Sequence, residues 1–184
     1  MVVDPVVIQV LEAGVALTGA GRGWLVAASA DGPPVVGGVS ADADAALVGA
    51  TIGDDVGATA FVIATGQPLS LSRASQDERF HDHPLAVGSD PITSVLTVPC
   101  LFRGEVVGAL ELVDDVEGAF SLDDLDVVAE IAAVAGAALA TAGDRRTEVP
   151  PPGELAASLR HLAVADPARY AQVATLVEAV LAHA

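Results

Sequence analysis

Two apolar runs, Val95 to Phe102 and Glu105 to Val113, dominate the hydrophobic pattern of the chain. Both are rich in β-branched residues and only Arg103-Gly104 separates them, the connection length of antiparallel neighbours, so the pattern predicts a β-hairpin. Val95, Thr97 and Pro99 alternate with Leu96, Val98 and Cys100, and both sets are largely apolar. That predicts a central hairpin covered on its two faces. Pro99 has no N–H to give the ladder, so it is expected at a bulge or near a strand end.

Upstream, Val6 to Leu17 carries apolar residues on more than one helical face until Gly19, Gly21 and Gly23 interrupt it, which predicts a first helix. Trp24 to Ser29 and Val35 to Val39 predict short strands around the turn Asp31-Gly32-Pro33-Pro34. Helices are expected over Asp42 to Ala50 and Asp54 to Thr65, the second ended by Gly66 as a left-handed cap, and a further strand at Leu69 to Leu71. From Ser72 to Thr93 the period is lost and Asp, His, Pro, Gly and Ser collect, the mark of a long loop with one helical turn. Ser121 with Asp124 resembles a capping box with Asp in place of Glu, and it opens a helix expected to reach about Thr141.

That last helix carries two apolar stripes, one of Leu125, Val128, Ala132, Ala135, Leu139 and Ala142, the other of Val127, Ile131, Val134 and Ala138. Two stripes need two partners. One can lie on the sheet or the first helix, while small residues such as Ala133, Gly136, Ala137 and Ala140 permit close approach of another helix. A homodimer follows as the expectation, with Leu125, Val128, Ala132, Ala135 and Leu139 as its candidate interface; burial of the helix within one monomer is the alternative. After Gly143 the chain turns polar and meets Pro150-Pro151-Pro152-Gly153. The expected organisation is a domain over 4–145, a stiff Pro-rich linker over 146–153, and a helical hairpin over 154–184 in which Asp166 caps the second helix. A hairpin that short cannot close a core alone, so it should dock on its own domain or on a partner chain.

Composition narrows the function classes. The 184 residues hold 8 basic and 25 acidic side chains for a net charge of −17, and every basic one is arginine. Such acidity speaks against nucleic acid and anionic membranes as partners. The absence of lysine with abundant Ala, Val and Gly points to a GC-rich bacterial genome, a salt-adapted proteome being the alternative. The single cysteine, Cys100, excludes an intramolecular disulfide and a multi-cysteine zinc site. With no basic leader and no run of membrane-spanning length, the expected location is the cytoplasm.

The stretch Ser94 to Asp126, with Thr65-Gly66-Gln67-Pro68-Leu69 and Asp77-Glu78-Arg79-Phe80 upstream, resembles the GAF domain over roughly residues 4 to 145. The resemblance implies an α+β fold, an α/β/α sandwich of the PAS and profilin type. A central antiparallel sheet of five to six strands would have the terminal helices on one face and the long loop on the other. It implies a sensory and dimerisation module that is not an enzyme, holding a small ligand under the 72–93 loop; a ligand-free dimeric adaptor, recruiting a partner through the terminal hairpin, is the alternative. It also marks departures. Haem-ligating GAF domains place a His where this chain has Ser89, bilin-bearing ones a Cys in the loop, the methionine sulfoxide reductases several cysteines, and the cyclic-nucleotide binders a signature containing lysine. No cofactor is therefore implied.

Within the loop, Arg73, Arg79, His81 and His83 form a basic island in an acidic chain, and Arg forks with His donors suit an anionic ligand. Arg73, Asp77, Arg79, Phe80, His81 and His83 are the candidate ligand-binding residues, Phe80 as a pocket wall. The alternative is that Asp77, Glu78 and Asp82 pair with the same arginines and hold the loop shut. His81-Asp82-His83 lacks a third metal ligand, so no metal is expected. Cys100, among apolar neighbours, reads as a small buried hydrophobe. Asp123 and Asp124 read as first-turn helix charges, and Asp114, Asp115 and Asp126 as solvated surface.

Overall fold

The computed structural model describes residues 5–29, 32–53, 57–77, 84–85, 92–147 and 152–181. Helix α1 (Pro5–Thr18) turns Val7, Leu11 and Gly14 inward, and Gly19 at φ 71° ends it in the left-handed region that costs glycine nothing. Strands β1 (Arg22–Ala27) and β2 (Val35–Val39) pair antiparallel, and α2 (Gly57–Thr65) precedes β3 (Leu69–Leu71). The predicted hairpin is β4 (Ser94–Phe102) with β5 (Glu105–Asp114). Its turn places Arg103 at φ 54° and Gly104 at φ 85°, the doubly positive geometry whose twist matches flanking strands. Pro99 sits beside the bulge between Cys100 and Leu101 and beyond Thr97, the last residue of β4 that pairs with β3.

The five strands form one antiparallel sheet in the order β2-β1-β5-β4-β3, so the hairpin is central as its two apolar faces require. Leu25, Leu96, Val98, Cys100, Leu110 and Leu112 face one way, under α1 and α3 (Leu122–Thr147). Trp24, Val26, Val95 and Val113 face the other way, with Ala58 of α2 and with Ala74, Leu85 and Ile92 from the segment between β3 and β4. Ser121 caps α3 as expected: its Oγ accepts from Asp124 N at 3.2 Å and donates to Asp124 Oδ2 at 2.6 Å.

Three expectations change. The segment 42–50 forms a single turn, Ala45–Leu47, because its end is taken by the sheet: Val36 N donates to Ala50 O and Gly49 N to Val36 O, both at 2.9 Å. The stripe Val128, Ala132, Ala135 and Leu139 is buried against the chain's own sheet with Leu125 packed at its margin, so these residues are not an open dimer face. The cause is area, since a 14-residue α1 leaves much of an apolar sheet face uncovered. Gly136 serves the same contact: a Cβ there would land on the Leu101 carbonyl oxygen and 2.8 Å from its carbon. What α3 leaves exposed is Leu122, Val127 and Val134. Third, Asp114 is buried and not solvated; its Oδ2 accepts from Gly21 N and its Oδ1 from Val116 N, at 2.9 and 2.8 Å.

Internal contacts divide the chain into Met1–Gly143 and Asp144–Ala184. Helix α3 continues to Thr147, past the expected end. Helices α4 (Pro152–Ala165) and α5 (Pro167–Leu181) pack against each other, with Asp166 Oδ1 accepting from Arg169 N at 3.0 Å. Between them runs an open groove of about 650 Å³ lined by Ala157, Ser158, His161, Leu162, Ala165, Arg169 and Val173. Among the described residues no helix is long and apolar enough to cross a membrane.

Candidate functional site

The strand register sets one polar row into an apolar sheet face. Leu69, Thr97, Glu111 and Trp24 are successive partners across β3, β4, β5 and β1. Helix α2 lies over this row against β4 and β5 and brings Thr59 down to it. Trp24, Thr59, Thr97 and Glu111 are all fully buried. The indole N–H of Trp24 donates to Thr59 Oγ1 at 3.2 Å, and the hydroxyls of Thr59 and Thr97 each donate to Glu111 Oε2 at 2.9 Å. An indole nitrogen can only donate, which fixes the direction of the chain: the Thr59 proton points at the carboxylate.

A carboxylate in an apolar interior is costly unless hydrogen bonds and charge compensate it. Two hydroxyl donors converging on one oxygen supply part of that, and hydrogen bonds to a charged group contribute about 1.5–3 kcal/mol each. The row is therefore a prepared acceptor inside the protein. One row further along the same face lies Arg22, paired with Val113 as Trp24 is with Glu111. Its Nε is buried and has no hydrogen-bond partner. No ion pair joins Arg22 to Glu111.

Of the loop residues expected to bind a ligand, Arg73 points outward and its Nε meets Glu117 Oε1 at 2.5 Å, with the two side chains 62% and 55% exposed. A pair that open to solvent contributes little to stability. Asp77 is half-buried, while Arg79, Phe80, His81 and His83 lie outside the described residues. Among the described residues no group of His, Cys, Asp and Glu is placed to hold a metal ion. Cys100 is buried on the α1/α3 face, away from Glu111, and burial pushes its thiol up to about 12. It is not a nucleophile at neutral pH.

Glu111, Thr97, Thr59 and Trp24 are the site residues that sequence reasoning passed over. Their signal was present in outline, since Glu111 is the one charged residue between Val106 and Val113 and Thr97 the one hydroxyl between Val95 and Phe102.

An antiparallel five-stranded sheet with helices on both faces defines an α+β fold. The chain belongs to the GAF domain family, whose model matches residues 3–139. GAF domains are small-molecule sensory and regulatory modules. Among solved structures, the GAF domain of an Acinetobacter phosphoenolpyruvate-protein phosphotransferase is similar at TM-score 0.63 and 16% identity, over 76% of this chain and 90% of that one. A type II free methionine-R-sulfoxide reductase from Thermoplasma acidophilum is similar at TM-score 0.58 and 16% identity, over 73% and 92%. A probable 3',5'-cyclic phosphodiesterase of Caenorhabditis elegans is 31% identical over 83 residues, 45% of this chain and 11% of that much longer protein.

Proposed function

We propose that this chain is a sensory module that takes a small molecule onto the α2 face of its sheet, under the 72–93 segment, and signals through a dimer made by its terminal helices. The observation that carries the reading is the buried row: a carboxylate, two hydroxyls and an indole gathered at the centre of a sheet whose folding needs only apolar residues there. Polar groups enclosed at that cost suit specific recognition. For the dimer, the face offered is the outward one, Leu122, Val127 and Val134 of α3 and Val6 and Leu17 of α1. Ligand binding shifts the dimer to the extent that the two arrangements differ in affinity for the ligand.

The buried thiol, pushed up to about 12, supports a module without the chemistry of the sulfoxide reductase. The likeness to a phosphodiesterase over so short a span supports the regulatory reading and not hydrolysis. Thermal shift with a metabolite panel, paired with sedimentation of the free and ligand-loaded chain, tests the proposal. The expected result is stabilisation by one compound class and a dimer that responds to it. A monomer at all concentrations removes the dimer output, and a chain that no small molecule stabilises removes the sensor.

A further inference from the structure

Two faces of this molecule are alike in pattern and opposite in charge. Helix α3 leaves Leu122, Val127 and Val134 exposed, with Asp123, Asp126 and Glu130 exposed among them. At about 100° per residue these six positions fall within about 140° of the helix circumference, opposite the stripe that packs on the sheet. The open groove between α4 and α5 carries the other sign: apolar Ala157, Leu162, Ala165 and Val173 line it with His161 and Arg169, and among the described residues no acid does. Such a groove receives the apolar face of another helix. The charge of the chain is divided in the same sense. Residues 144–184 hold four arginines against five acids, and residues 1–143 four against twenty.

We propose that the groove of α4 and α5 takes the outward face of α3 from a second copy of this chain, the two copies exchanging the contact about a twofold axis. This rests on the dimer of the reading above and specifies how it is made. Symmetry decides between the pairings, because a twofold interface either sets an element against its own counterpart or exchanges two different ones. Two α3 faces set together bring Asp123, Asp126 and Glu130 up to the same three acids. Two grooves set together bring Arg169 and His161 up to their own kind. Like charges facing each other across an interface are costly. The exchanged contact joins apolar to apolar and sets Arg169 and His161 beside carboxylates, and it does so twice in each dimer. Two helices with an open apolar groove do not close a core by themselves, so the same contact completes the α4/α5 pair.

The experiment is sedimentation equilibrium of the full chain and of two charge reversals, Arg169→Glu and the double variant Asp126→Arg with Glu130→Arg, each alone and the two mixed in equal amounts. All three positions are exposed, so the reversals leave the core intact, which circular dichroism checks. The expected result is a parent dimer whose dissociation constant rises about tenfold or more in either variant alone. In the mixed dimer one exchanged contact is native and the other has both signs reversed, so association should recover to within about threefold of the parent. Glu130→Arg alone, mixed in the same way, gives an independent reading should the double variant not fold; a smaller weakening with the same recovery is expected. A dimer that neither reversal moves, or one that both weaken with no recovery on mixing, overturns the exchanged contact and leaves the dimer standing. A parent that is a monomer at all concentrations overturns both.

Discussion

Replacing Thr59 by Val tests the buried row with little change of shape. The substitution deletes the donor to Glu111 and the acceptor of the Trp24 indole N–H, at 2.9 and 3.2 Å, and leaves volume and helix propensity almost untouched. A hydrogen bond to a charged group contributes about 1.5–3 kcal/mol and a neutral one about 1, so Thr59→Val should cost about 2–4 kcal/mol. Thr97→Val deletes one bond, to Glu111 alone, and gains slightly as a strand residue, so it should cost less, about 1.5–2.5 kcal/mol. Because both hydroxyls serve one oxygen, the cost of the double variant should depart from the sum of the two by about 0.5–2 kcal/mol. Urea melts at neutral pH followed by fluorescence give all four corners of the cycle, since the single tryptophan is Trp24 itself. In heat the larger effect is a shift of roughly 4–16 °C. Costs below about 0.5 kcal/mol for both variants, with simple additivity, would refute the claim that the hydroxyls hold a buried charge.

Three further outcomes follow from the packing. Gly136→Ala, which improves helix propensity by about 1 kcal/mol in isolation, should instead destabilise the protein, because its Cβ meets the Leu101 backbone; a stability gain on denaturation would show that α3 does not lie so close to β4. The Cys100 thiol, at about 12 when folded against 9.0 normally, should react slowly with iodoacetamide at pH 8 and quickly in denaturant. The folded chain keeps a proton that the unfolded one releases, so its contribution is whole below pH 9 and declines as the pH rises from 9 toward 12. Ser121 holds the Asp124 carboxyl below the usual carboxylate range through its hydroxyl and its backbone N–H. Ser121→Ala should therefore cost about 1 kcal/mol at pH 7, and the gap to the parent should narrow as acid protonates Asp124 below about pH 4, as read from melts across pH.

The hairpin, the first helix, the cap of α3 and the Gly66 terminus were legible because each is written in local chemistry: period, turn length, an Asp three residues after a Ser. The buried row was not. Counting outward from the Arg103-Gly104 turn pairs Thr97 with Leu110 and puts Glu111 on the opposite face. The bulge between Cys100 and Leu101 shifts the register by one, so that Thr97 meets Glu111. Pro99 signals an irregularity in this strand, but not its place or the direction in which it moves the register. The α3 stripe was legible as a stripe, but its partner was a matter of how much sheet α1 leaves bare, which only the packed structure decides. Asp114 looked like one surface acid among several, yet the backbone N–H of distant Gly21 and that of neighbouring Val116 converge on it. The segment 42–50 has helical composition, and the sheet edge outbids it through bonds that sequence alone does not reveal.

The most direct measurement is a high-resolution crystal structure of the full chain grown with the compound that stabilises it most in thermal shift. The account predicts a small molecule enclosed on the α2 face of the sheet, beside the row of Trp24, Thr97 and Glu111. A face filled by the protein's own side chains, with the compound bound elsewhere or absent, would contradict it.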